Sequence, residues 1–387
     1  MNPLLARSAP LVWLWLVQSA LVLALAGINP NHFTTIDSGY YLAAAQNLLD
    51  GRGYVVLEEG RLVWNGTFPL GYPAAIALVS LLTTLPVLWA SKVLNLLASG
   101  YFLYFLGNTL GTRRALVTGS VLLLGPFLKL WAHTWSEPLF LVVLFVWVRY
   151  FFAENRRWPG TFLLGLALML VRYVGVFIVP LAVGAALYWN WKEQFHRAGR
   201  AAALSLGWAL SFGAYLGLNY LQSGFWYGGD RFTEPNPAGQ VLILLGQGLL
   251  NELFLFRDTD FQQLDVLFLL GVLIQVLLGT WLYLKRKDLP RLQRPRSAPT
   301  TYAWLTAAGY LLFLLVLRLL SPFDAPGYRL LSPFTFLILW GVLYQLTEST
   351  SRLRSLRWLG LLIILASWLH LLPQTDLAAK LSGLWGA

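Results

Sequence analysis

Two acids stand apart in an otherwise apolar chain. Asp37 follows the first long apolar run, in TTIDSGYY, and Glu137 is the only acid between Glu59 and Glu154. A carboxylate held ionised where lipid meets water is a candidate general base, and the positive end of a following helix would help keep it charged. Asp is equally a preferred N-cap, and Asp37-Ser38 precedes a helix-compatible run that stops at Asp50-Gly51, so capping alone is the simpler account. Glu137 lies in Trp131-Ala132-His133-Thr134-Trp135-Ser136-Glu137-Pro138, where an acid at the mouth of a membrane span is either functional or merely solvated. His133 adds an imidazole, a metal ligand beside the two acids in one reading and an ordinary interfacial contact in the other.

Five cations interrupt apolar segments: Lys92, Lys129, Arg172, Arg318 and Arg329. Charge is expensive in such places and usually faces a cavity or a partner, so together they suggest an anion-binding cavity. Snorkelling to headgroups is the alternative for Lys92 and Arg318. Arg172, in LMLVRYVGVF between two short apolar segments, is better explained by function.

The elements that must carry these groups are membrane helices. Of 387 residues, 57% are hydrophobic and 12% charged, about half the charged share of a soluble domain. That excludes a soluble enzyme. The formal net charge of +11 would suggest nucleic acid in a soluble protein, but the basic residues fall between apolar runs, where membrane topology explains them. No nucleic-acid partner is expected. With no cysteine, disulfides, thiolate metal sites and a catalytic thiol are excluded.

A span needs about 20 apolar residues, and eleven are expected, near 11–28, 89–108, 115–131, 138–153, 160–171, 174–190, 201–221, 265–284, 302–320, 331–347 and 357–372. The stretch 70–85 is ambiguous. Taken as re-entrant or interfacial, it puts the N-terminus and loops 109–114, 154–157, 191–200, 285–298 and 351–357 in the cytoplasm with 17 of the 28 Lys/Arg, and 13 of the 17 acids outside. That distribution fits the positive-inside rule. The chain therefore reads as a single transmembrane domain over 1–387 with two long outer loops, 29–88 and 222–264. In the first, Tyr41, Leu42, Ala45, Leu48 and Leu49 recur at helical spacing, so a helix lying on the membrane surface is expected. The second, rich in aromatic and acidic residues, is either a sugar-binding surface or a solvated connector, and its length favours a role.

In the order of these pieces the chain resembles the GT-C superfamily of membrane glycosyltransferases, closest in pattern to the protein O-mannosyltransferase and lipid A aminoarabinose transferase branch. The carriers are the outer-loop Asp in TTIDSGYYLAAAQNLLDGRGY, FPLGYP at 68–73, GTRR, HTWSEPLF, paired short helices with Arg172, and APGYRLLSPFTFL with Arg329. The resemblance implies an all-α polytopic fold of about 11 transmembrane helices plus outer-face juxtamembrane helices. It also implies an inverting transfer from a polyprenyl-phosphate-linked sugar to a glycan, lipid or protein acceptor. Asp37 would be the base that activates the acceptor. Glu137, His133, Lys92, Lys129, Arg172, Arg329, Tyr40 and Tyr72 would bind substrate, with the arginines meeting the charge on the leaving phosphate. No tightly bound cofactor is implied, and one acid at the second acidic position leaves a divalent metal open. The implied location is the plasma (inner) membrane, with the N-terminus cytoplasmic and the site facing outward. Larger relatives carry a further C-terminal domain, so acceptor recognition here is expected to use the outer loops. A transporter or flippase of an anionic lipid-linked substrate is the competing class.

Overall fold

A computed structural model of the chain describes residues 3–153, 158–228, 237–253, 266–284, 298–321, 327–348 and 350–371. The basic run Lys285 to Arg296, loop 154–157 and parts of loop 222–264 lie outside them. The described residues form fifteen α-helices and one β-hairpin. In order these are α1 Pro3–Ile28, α2 Ile36–Leu49, β1 Val55–Glu58, β2 Arg61–Trp64, α3 Gly71–Thr83, α4 Val87–Leu110, α5 Thr112–Gly119, α6 Gly125–Ala132 and α7 Glu137–Phe152. They continue with α8 Trp158–Val171, α9 Ile178–Trp191, α10 Phe195–Ser223, α11 Ala238–Leu253, α12 Val266–Leu284, α13 Ala298–Leu320, α14 Tyr328–Leu346 and α15 Thr350–Ser367.

The protein is all-α and polytopic. Among the described residues the eleven expected apolar segments are largely helical, but against eleven expected crossings six helical segments are long and apolar enough to cross a membrane on their own. A seventh is a bent pair, because the segment expected as one span at 115–131 breaks between a 3-10 turn at Ser120–Leu123 and α6, with an angle of 71°. Pro126 stands in the first turn of α6, where its missing N–H costs nothing and its ring forbids a continuous helix. Gly125 at the break donates its N–H to Ser367 Oγ at 2.9 Å. A Cβ there would sit 2.0 Å from the Ser367 carbonyl oxygen, so only glycine admits this approach. The ambiguous stretch became α3, whose 13 residues rise about 20 Å at 1.5 Å per residue, short of the ~30 Å hydrocarbon core.

Two expectations about the loops are corrected. The apolar face of α2 does not lie on lipid: Tyr41 and Ala45 are buried with Tyr72 and Ile76 of α3, so a protein helix covers the face assigned to the bilayer. Segment 222–264 is not an open loop throughout, since α11 lies within it and packs on α13 and α14. The β-hairpin was not anticipated at all. Its strands pair Val55 with Trp64, Val56 with Val63, Leu57 with Leu62 and Glu58 with Arg61. The two-residue turn Glu59-Gly60 has φ of 49° and 78°, the two left-handed positions that suit the twist of a tight hairpin.

An aromatic core fixes the bundle behind the site. Phe102 of α4 meets Phe145 of α7 at 5.1 Å and Phe336 of α14 at 5.4 Å between ring centroids, and Phe145 meets Trp340 at 4.7 Å. These edge-on and tilted contacts lock α4, α7 and α14 in one rigid group, and α7 and α14 carry Glu137 and Arg329 at their first turns.

Candidate active site

Asp37 is not the cap of its helix. Thr35 occupies the N-cap position, with an extended backbone, and its N–H is bonded by the Ser38 hydroxyl at 3.0 Å in a capping box. Ser38 in turn donates to the Thr134 carbonyl at 2.9 Å, which ties the start of α2 to the segment before Glu137. The capping task is thus filled by neighbours. The carboxylate of Asp37, 31% exposed, is left in the first turn of α2 and turns toward α14.

There it meets the cation that joins both acids. Arg329 donates from its Nη1 to Asp37 and from its Nε to Glu137, and Arg172 pairs with the same Glu137 oxygen. Glu137 is 1% exposed, and its second oxygen, Oε2, is buried without a hydrogen-bond partner among the described residues. The guanidinium of Arg329 also lies over the Trp135 ring at 4.5 Å, and Trp135 Nε1 donates to Thr35 Oγ1 at 2.9 Å. Ser136 closes the far side, its hydroxyl 3.3 Å from Arg172 Nη1 and 3.2 Å from Tyr41 OH. Burial pushes the Tyr41 phenol up to about 12, so it stays neutral. The two arginines and two carboxylates sum to zero formal charge. An entering anion therefore finds its cations already engaged, and must exchange with a carboxylate for them.

Of the expected site residues, Asp37, Glu137, Arg172 and Arg329 are brought together, and three others lie in the packing around them. Lys92 is fully buried and donates to the Ala132 carbonyl at 2.6 Å and to Thr134 Oγ1 at 2.8 Å, so its ammonium holds the loop before Glu137 and is not open to substrate. Tyr72 is likewise fully buried, edge-on to Tyr41 at 5.0 Å, in the seam between α2 and α3. His133 stacks on Trp135 at 3.7 Å and meets Phe33 edge-on at 4.8 Å, while its Nδ1 is 2.8 Å from the Lys129 carbonyl. Burial lowers its pKa to about 3, which fixes a neutral ring that braces the Trp135 platform. No group of three or more metal-ligating side chains occurs among the described residues. Arg318 is buried within α13. Lys129 is half-buried on α6. Tyr40 is half-buried beside Phe68 at 5.8 Å, and burial first, then the Glu58 carboxylate, raises its phenol pKa.

Reading the sequence alone missed Ser136, Trp135, Thr134 and Asn95. Asn95 donates to the Trp131 and His133 carbonyls at 3.1 and 2.9 Å, and with Lys92 it pins an eight-residue segment that carries Glu137. The signal was available: Lys92 and Asn95 are three apart, hence on one face of a helix.

No family model and no curated protein matches the chain. Solved structures do. ArnT from Cupriavidus metallidurans in the apo state superposes with a TM-score of 0.53 at 15% identity, covering 92% of this chain and 64% of that one. The same protein bound to undecaprenyl phosphate gives 0.52 at 14% identity, with 91% and 63% covered. This chain thus spans less than two thirds of the length of those structures. Likeness over nine-tenths of the chain shows that this helical bundle shares the fold of the matched part of ArnT.

Proposed function

We propose that the protein is an inverting glycosyltransferase that moves a sugar from a polyprenyl-phosphate-linked donor to an acceptor hydroxyl or amine at the outer face of a plasma membrane. The observation that carries this reading is the bridge Asp37–Arg329–Glu137–Arg172, which places a partly exposed carboxylate and two guanidinium groups in one cluster. In the reaction the acceptor oxygen or nitrogen attacks the anomeric carbon from the face opposite the phosphate, and the bond from that carbon to the phosphate oxygen breaks. Asp37 takes the acceptor's proton. The bonding pair leaves on the lipid phosphate, whose charge Arg172 and Arg329 meet, so no general acid is required.

The neutral charge count gives this chemistry an order. The donor phosphate takes over Arg329 Nη1, and the carboxylate it displaces is the base. Glu137 keeps the guanidinium groups aligned through one oxygen and offers Oε2 to a sugar hydroxyl. ArnT was captured with undecaprenyl phosphate, which supports a polyprenyl phosphate as the leaving group here too. The acceptor class, whether glycan, lipid or protein, is left to assay.

The test is release of polyprenyl phosphate from labelled polyprenyl-phosphate sugars by purified wild type and Asp37→Asn, offered a membrane-lipid and glycan extract as acceptor. Transfer lost in Asp37→Asn, with donor binding retained, is the expected result. Equal turnover by both proteins would remove Asp37 from the reaction. No turnover by either, with donor still bound, would replace the transferase with a carrier of lipid-linked anions.

A further inference from the structure

The β1–β2 hairpin presents an apolar face outward. Strand alternation and the observed register put Val55, Leu57, Leu62 and Trp64 on one side. On the other, Val56 is buried in a cluster with Ala44 of α2 and Tyr54; Trp64 packs against the same cluster and Val55 is half-buried, so only the Leu57–Leu62 end of the first side is open. An antiparallel hairpin with water on its free side shows polar residues there. Here the directly opposed pair Leu57 and Leu62 is 67% and 51% exposed, and the charged pair Glu58 and Arg61 falls on the side of Val56.

The height of the hairpin decides what covers that face. Trp64 Nε1 donates to Asn219 Oδ1 at 3.0 Å, and Asn219 lies four residues before the end of α10 at Ser223, about 6 Å below it at 1.5 Å per residue. The 29 residues of α10 rise about 43 Å and overhang a ~30 Å hydrocarbon core by about 7 Å at each end when centred. Asn219 and Trp64 then sit at the hydrocarbon boundary. Leu57 and Leu62 are two residues further along the strands, at most about 7 Å away, so even a hairpin directed straight out keeps them inside the headgroup layer. Beside this point Tyr220 stacks on Trp226 at 4.8 Å, with Phe225 and Tyr227 also exposed, an aromatic belt of the kind found at a membrane interface.

We propose that the exposed Leu57–Leu62 pair is seated in the headgroup–acyl boundary of the leaflet on the Asp37 side, with Trp64 holding the base of the hairpin against α10. The bilayer and α2 then hold the hairpin between them. This rests on the membrane-spanning fold alone, so it stands or falls apart from the transfer reaction.

The chain has no cysteine, so Leu57→Cys and, separately, Leu62→Cys each create one site for an environment-sensitive NBD label, with Glu59→Cys at the turn as the comparison. The proteins are placed in phosphatidylcholine nanodiscs with and without a nitroxide on the headgroup, after a melting curve shows that each label leaves the fold intact. The expected result is loss of emission at 57 and 62 with nitroxide lipid, and weak quenching there by aqueous iodide relative to 59. Strong iodide quenching at 57 and 62 without nitroxide quenching would overturn the proposal in favour of a solvated face. Shielding from both quenchers would also overturn it, and would point to a second protein copy on the hairpin.

Discussion

Removing the Glu137 charge tests the cluster most directly. In Glu137→Gln two guanidinium groups keep their positions and lose their shared counter-ion in a place where that carboxylate is 1% exposed. Deleting one member of a buried ionic group costs about 3–5 kcal/mol. Arg329 retains Asp37 and Arg172 retains the Ser136 hydroxyl, and both arginines are slightly exposed, so the lower end, about 3 kcal/mol, is expected. The assay is melting of the detergent-purified proteins by intrinsic fluorescence, for which the 18 Trp give ample signal, with and without inorganic phosphate at matched ionic strength. The variant should melt well below wild type, and phosphate should raise it by more than it raises wild type, because an added anion replaces the missing carboxylate. Phosphate also stabilises proteins generally by exclusion, and the difference between the two proteins removes that effect. Equal melting, or an equal response to phosphate, would refute the description of Glu137 as the counter-ion of both arginines.

Other outcomes follow from the same geometry. Lys92→Met strands the Ala132 carbonyl that the lysine serves, while the Thr134 hydroxyl keeps Ser91, and should cost about 1–3 kcal/mol, read as a lowered melting temperature; a well-folded variant with a raised donor KM would show instead that Lys92 binds substrate. Thr35→Ala removes the hydroxyl at the N-cap of α2 and should cost about 1 kcal/mol, whereas Asp37→Asn should lose less, since a half-exposed ion pair is worth about 0–1 kcal/mol; melting of the two variants side by side ranks them. For His133, with a folded-state pKa near 3 against about 6.5 unfolded, the unfolded chain binds the extra proton between those values. Its contribution is therefore intact above about pH 6.5 and is lost as pH falls toward 3. His133→Phe should flatten the melting-temperature difference between pH 7 and pH 5, and an unchanged difference would place the acid sensitivity elsewhere.

How much of this was legible depended on whether a residue's partner was near in sequence. Spans were readable because apolar run length is a local property, and the α2 run from Asp37 to Asp50 was found within a residue or two of Ile36–Leu49. The pairing of Arg329 with Asp37 joins residues 292 apart, and only the motif order of the GT-C resemblance brought them together in advance. The partners of Lys92 were not legible for a physical reason: a buried cation and a substrate-facing one look alike in an apolar helix until the carbonyls of a distant loop are placed. The packing of Tyr72 on Tyr41 was hidden in the same way. The hairpin had a local signature, VVLE and RLVW around Glu59-Gly60, hidden because a Glu-Gly turn is a weaker cue than Asn-Gly or Asp-Gly. The break at Gly125-Pro126 was also present in the sequence, and a run of apolar residues on both sides concealed it.

Because Thr35 and Ser38 hold the start of α2, the turn that carries Asp37 does not depend on its charge. A chain neutralised at position 37 would still fold, losing at most about 1 kcal/mol with the Arg329 pair. On the function proposed above, it would accumulate, keep its arginines, and still take up lipid-linked sugar. In a cell that also makes the intact protein, such a chain would act as a sink, withholding donor from the working copies, so the harm from losing one proton acceptor would grow with how well the altered protein is made.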